Sequence, residues 1–182
     1  MLKWTRQLPP VSKDLTGYKP FIKNEWFRKN YMWFAYGLMI ILLNAAFFAG
    51  AFSCGTLLIK ILLFLIIYPV HELLHIITVV TKGNIYLTHS GLYFWLTPDA
   101  ELSKGRYWLF MILPLLVLTV ICGAASFFVP ADIAGYLRYT AWINAVIAGS
   151  DIINSFLILI KPSGTYFYRG FYRHLNPEER YR

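Results

Sequence analysis

The chain has 182 residues, of which 58% are hydrophobic, 18% aromatic and only 14% charged, with a mean hydropathy of +0.52. These values exclude an ordinary water-soluble domain. The net charge of +8 comes from basic residues beside apolar windows, interleaved with aromatics such as Trp4, Trp26, Tyr166 and Tyr172; this suits anionic lipid headgroups and argues against a nucleic-acid site.

In chain order, residues 1–30 form a basic, Pro-containing segment, and no small-residue cleavage site follows the first apolar window, so a removable signal peptide is not expected. Four windows, residues 31–52, 57–80, 107–129 and 139–160, are apolar over the roughly 20 residues a bilayer requires. The expected fold is an all-α integral membrane protein: four transmembrane helices in residues 31–160, with a cytoplasmic β-hairpin between the second and third. Residues 161–182 are the expected aromatic and basic cytoplasmic tail. Lys3, Arg6, Lys13, Lys19, Lys23, Arg28 and Lys29 precede the first helix, whereas the turn at 53–56 carries no charge. The positive-inside rule therefore puts both termini in the cytoplasm. Cys54 and Cys122 fall toward the outer side, where they read as small packing residues or as an outer-face disulfide.

The second window contains His71-Glu72-Leu73-Leu74-His75. On a helix the two histidines project from one face a turn apart, where both imidazoles reach one metal ion, and Glu72 stands where a zincin keeps its general base. Entering from outside near Leu57, the helix carries these histidines about 21 to 27 Å along its axis, into the cytoplasmic third. The fourth helix holds a single acidic residue, Asp151, about 18 Å in, at a nearly matching depth. An ionised carboxylate there costs roughly 2.5–3.5 kcal/mol on insertion scales and calls for a partner. Two imidazoles and a carboxylate leave a fourth position open on Zn2+, which makes His71, His75 and Asp151 the expected ligands. Glu72 is the expected base for peptide hydrolysis, taking a proton from water and passing it to the leaving amine. The plainer alternative is a polar cluster that joins helices by hydrogen bonds.

Pro69 is expected to kink the helix, either opening the site to water or only shaping the packing. Asn144 and Asn154 lie on the face of Asp151, as oxyanion or substrate-positioning donors or as interhelical bonds. Residues 85–88 and 92–96, rich in aromatic and β-branched side chains, read as strands of a hairpin, with turns at 83–84 and 89–91. Its edge could pair with an extended substrate or plug the site. His89 is a further ligand or oxyanion candidate, against a solvated turn histidine.

His71-Glu72-Leu73-Leu74-His75 in the second helix, with Asp151 in the fourth, resembles the core of the site-2 protease family of intramembrane zinc proteases. The length, Pro114 in the third helix and the Ser150-Asp151 pair look closer still to a bacterial family of small membrane zincin peptidases, over about residues 30–160. The resemblance implies a bacterial cell-membrane protease whose aspartate completes the zinc site. Departures are Ser150-Asp151-Ile152 in place of the site-2 family's Leu-Asp-Gly, and no proline between Asn144 and Asp151, so the fourth helix is expected to stay regular. The expected function is an intramembrane zinc metalloprotease cutting a membrane-spanning or membrane-proximal peptide near the cytoplasmic face. The alternative is a non-hydrolytic metal-binding membrane protein acting as sensor, resistance factor or assembly partner.

Overall fold

The computed structural model describes residues 1–11, 13–90 and 93–175. Helix α1 (Glu25–Phe48) starts where the side chain of Asn24 accepts the Phe27 N–H at 2.9 Å, satisfying an amide the first turn leaves unpaired. Thr56 caps α2 (Leu57–Val79) in the same way, and this helix runs through Pro69 without ending. Helix α3 (Lys104–Ala125) contains Pro114 and widens directly after it into a π-helical stretch, Leu115–Ile121. That placement fits a proline with no N–H for the regular ladder.

The fourth apolar window is not one regular helix. It lies in two, α4 (Ala131–Ile147) and α5 (Gly149–Leu159), bent by 64°. Ala148 leaves the helical conformation with ψ near 11°, and the Gly149-Ser150 pair follows, the kind of small-residue pair at which helices kink without proline. The expected all-α protein with four transmembrane helices is therefore corrected. The described residues form five helices and two β-sheets, and three helices, α1 to α3, are long and apolar enough to cross a membrane. In their most apolar windows only 11–17% of residues are buried within the protein. Side chains such as Ile40, Phe47, Leu58 and Leu65 point outward, as lipid-covered helices require and soluble helices avoid. The protein is membrane-associated.

The first sheet has the order β1-β3-β4. Strand β1 (Leu2–Trp4) runs parallel to β3 (Ile85–Ser90), with Leu2 opposite Ile85, and β3 pairs antiparallel with β4 (Tyr93–Pro98), with Ile85 opposite Pro98. The expected hairpin is present, but His89 belongs to β3 rather than to a turn, and Gly91 and Leu92 lie outside the described residues. The second sheet, β2-β7-β6-β5, joins β2 (Lys19–Pro20), β5 (Leu102–Ser103), β6 (Thr165–Tyr168) and β7 (Phe171–His174). Both sheets therefore gather the N-terminal segment, the α2–α3 connection and the chain after α5 at one end of the bundle.

Phe110, Val79, Ile85, Leu102, Ile158 and Phe167 form the core that joins helix ends to sheets. A second core, Ile67, Leu118, Tyr139 and Ile143, lies deeper between the helices. At the sheet end, Glu101 accepts from Lys13 Nζ at 2.6 Å, Tyr18 OH at 2.7 Å and Arg173 Nε at 2.6 Å. Burial alone would raise its pKa, but the bonds from Arg173, Lys13 and Tyr18 outweigh it and hold the carboxyl below the usual value. Arg169, with φ of 44°, and Gly170, with φ of 80°, turn the β6–β7 hairpin. The Arg169 guanidinium lies 2.9 Å from Asp99 and 5.0 Å from the ring of Tyr86 on β3, bridging the two sheets. Cys54 and Cys122 are both free thiols.

Candidate metal centre

Helix α2 presents His71 and His75 on the same face, and the α4–α5 bend delivers Asp151 to them from the first turn of α5. All three are buried. Asp151 Oδ2 lies 3.1 Å from His71 Nε2 and 3.3 Å from His75 Nε2, and the two Nε2 atoms are 3.1 Å apart.

Hydrogen bonds behind the histidines decide which of these atoms carry protons. Asn144, on α4 and fully buried, points its amide nitrogen at the carbonyl oxygen of Pro114 and at Thr119 Oγ1, both at 3.0 Å. A carbonyl can only accept, so the Asn144 oxygen faces His71 Nδ1, 2.9 Å away, and that nitrogen must be the donor. His75 Nδ1 likewise meets the carbonyl of Phe110 at 2.5 Å and donates to it. Phe110 stands four residues before Pro114, the residue whose missing N–H would otherwise take that carbonyl.

With both Nδ1 atoms protonated in neutral rings, both Nε2 atoms present lone pairs, and an ionised carboxylate only accepts. In that neutral, metal-binding form of the rings three acceptors converge with no proton between them, and the buried Asp151 Oδ2 is without a hydrogen-bond partner among the described residues. A cation resolves this arrangement. Tetrahedral coordination with bonds of roughly 2.0–2.1 Å puts ligand atoms about 3.3 Å apart, close to the separations seen here. Two imidazoles and one carboxylate are a zinc donor set with room for a further ligand, so the residues present fit the ion. The bonds to Asn144 and to the Phe110 carbonyl orient the imidazoles in the way outer-shell partners of metal-bound histidines do.

Glu72 is half-buried and lines a cavity of about 340 Å³ together with His71, His75 and Asp151. Among the described residues it has no hydrogen bond or ion pair. Strand β4 contributes Phe94 and Trp95 to the same cavity, and the ring of Tyr68, one turn before Glu72 on α2, lies 6.4 Å from that of Phe94.

The other residues singled out from the sequence fall in different places. Asn144 stands behind His71 with its amide nitrogen already engaged. Asn154 lines the cavity, its oxygen 2.9 Å from the hydroxyl of Tyr31 on α1, which also reaches the carbonyl of Ser150 at 3.0 Å. His89 is exposed on β3 with its ring 6.0 Å from that of Trp4, and it is not brought to the cluster. Sequence reasoning missed Tyr31, Tyr68, Thr119 and the Phe110 carbonyl. Only the last had a usable signal, the proline four residues downstream.

A buried His-His-carboxylate cluster on membrane-associated helices, with a carboxylic acid on the cavity wall beside it, is the arrangement of a zincin-type metal site. Residues 64–166, more than half of the chain, match the family described as "Putative zincin peptidase", and the chain belongs to that family. The matched stretch includes both histidines, Glu72, Asn144 and Asp151. No curated protein and no solved structure matches the chain.

Proposed function

We propose that the protein is a zinc metallopeptidase that hydrolyses a peptide bond of a membrane-spanning or membrane-adjacent polypeptide. The observation that carries this reading is the meeting of three buried acceptor atoms, His71 Nε2, His75 Nε2 and Asp151 Oδ2, beside a cavity walled by Glu72. A zinc ion held by these three residues would polarise the scissile carbonyl and acidify the attacking water.

The chain's own residues supply the rest. Glu72 takes a proton from the water as its oxygen attacks the carbonyl carbon. It delivers that proton to the amide nitrogen as the C–N bond breaks. His71 and His75 keep fixed orientations through Asn144 and the Phe110 carbonyl, so little reorganisation accompanies the reaction. Among the described residues, strand β4 pairs with β3 along one edge only. Phe94, Trp95 and Leu96 of this strand line the cavity, and an extended peptide laid along its free edge would present a carbonyl toward Glu72.

The sheet end carries Lys19, Lys23, Lys82, Lys104 and Lys161, a basic cluster that supports an orientation with this end toward anionic headgroups on the cytoplasmic side. The test is a Glu72→Gln variant in detergent or liposomes. It is expected to retain zinc and to lose peptide hydrolysis by at least a hundredfold. Full hydrolysis would overturn the assignment of Glu72, and zinc binding by a native protein that cleaves nothing would favour a non-hydrolytic metal protein.

A further inference from the structure

The chain has four methionines, Met1 and three others, and all of those three line the cavity beside Glu72. Met32 and Met39 lie seven residues apart on α1, on the face that also turns the buried Ala35 inward; Met111 comes from α3, next to the Phe110 that holds His75. The outward surface of α1, by contrast, is built from side chains such as Ile40, Ile41 and Phe47. Thioethers are thus concentrated where the metal cluster faces open space, in a chain that otherwise fills its helices with Leu, Ile and Phe.

The positions of these side chains are constrained from behind. A Cβ on Gly149 would lie 2.6 Å from Met39 Cγ and 3.5 Å from the Ala35 carbonyl oxygen. The missing side chain at the α4–α5 bend therefore makes room for the Met39 stem, two residues before Asp151. Met111 Sδ lies 3.9 Å from the Asn154 amide nitrogen on the same cavity wall. The three methionines consequently belong to the wall of the site.

An unbranched, polarisable side chain with three rotatable bonds reshapes itself around apolar groups of different outline and makes favourable contacts with aromatic rings. A volume near 340 Å³ is at the low end of the roughly 300–1,000 Å³ typical of ligand pockets, which suits a short extended stretch of peptide. We infer that Met32, Met39 and Met111 form an adaptable subsite that receives the bulky apolar side chain flanking the scissile bond, so that the substrate class is apolar peptide of varied sequence. The inference rests on the peptidase reading above.

The test uses the full-length, zinc-loaded protein in detergent micelles and fluorescein-labelled apolar peptides that differ at one position, Ala, Leu, Phe or Trp. The native protein is expected to cleave the Leu and Phe peptides with kcat/KM within about fivefold of each other and the Ala peptide at least tenfold more slowly. Replacing all three methionines by leucine, similar in volume but branched and stiffer, should lower Phe relative to Leu at least tenfold. Met39→Ala should instead favour Trp by a similar factor. Zinc content and melting temperature serve as folding controls, and an identical Leu-to-Trp profile in both variants overturns the subsite. Binding of the same peptides to Glu72→Gln protein, read by fluorescence anisotropy, separates this inference from the peptidase reading. Methionine-dependent binding without hydrolysis by the native chain sinks the peptidase and supports the subsite, hydrolysis with a methionine-independent profile does the reverse, and neither binding nor hydrolysis overturns both.

Discussion

Asn144 accepts the Nδ1 proton of His71 at 2.9 Å while its own amide nitrogen is held by the Pro114 carbonyl at 3.0 Å. The Pro114 carbonyl thereby fixes the Asn144 orientation, which fixes the His71 tautomer and turns a lone pair on Nε2 toward Asp151. Asn144→Ala removes this orienting acceptor without touching a ligand. It is expected to weaken zinc affinity by roughly 10–100-fold, measured by competition with a chromogenic chelator, and Asn144→Asp, which keeps the acceptor, should lose less. Equal affinity in Asn144→Ala and native protein would remove Asn144 from the metal site.

Pro114→Ala tests the corresponding link to His75. An alanine at 114 brings an N–H that competes for the Phe110 carbonyl now bonded to His75 Nδ1. Zinc binding should weaken by about tenfold although position 114 is not a ligand. A variant that binds zinc as the native protein does would show that the missing proline N–H is irrelevant to His75.

How far these relationships could be read in advance depends on the length over which each is encoded. His71 and His75 are visible together because one helical turn brings residues four apart onto one face, and the hairpin announces itself at 85–88 and 92–96 by aromatic and β-branched residues between turn signals, although its strands run over 85–90 and 93–98. The break before Asp151 is invisible to hydropathy, because Ala148, Gly149 and Ser150 are all compatible with a continuing apolar helix. The Gly149-Ser150 pair permits a kink, and the approach of α1, with Met39 Cγ against Gly149, marks the place. The second sheet is built from strands of two to four residues, too short for any periodicity. The pairing of Leu2 with Ile85 depends on contacts far apart in the chain.

Gly149→Ala places a methyl group where Met39 Cγ now lies. Overpacking of this kind costs about 1–3 kcal/mol, read as a lowered midpoint in thermal unfolding followed by tryptophan fluorescence. Because the clash has one main source, Met39→Ala in the same chain should recover much of the loss, a positive coupling in a double-mutant cycle. Strictly additive effects would place the strain elsewhere.

Glu101 makes stability at the sheet end depend on pH. Its folded-state pKa lies below that of an ordinary glutamate, with burial opposing and the bonds from Arg173, Lys13 and Tyr18 prevailing. A depressed carboxyl pKa contributes stability that is fully present above the unfolded value and is lost as pH falls through the folded one. The melting temperature of the native protein should therefore exceed that of Glu101→Gln at pH 7, and the gap should narrow progressively as pH falls below about 4.5. A gap that persists unchanged at pH 3 would contradict the assignment of the ionised form.

Metal content of the detergent-purified, full-length protein, compared with Asp151→Ala and His75→Ala, tests the central claim most directly. Three unprotonated acceptors in a buried cluster predict about one zinc per chain, with strong loss in both variants while the helical circular dichroism is retained. A folded native protein that takes up no zinc from a buffered solution, or variants that bind it as tightly as the native chain, would contradict the metal centre and the peptidase reading built on it.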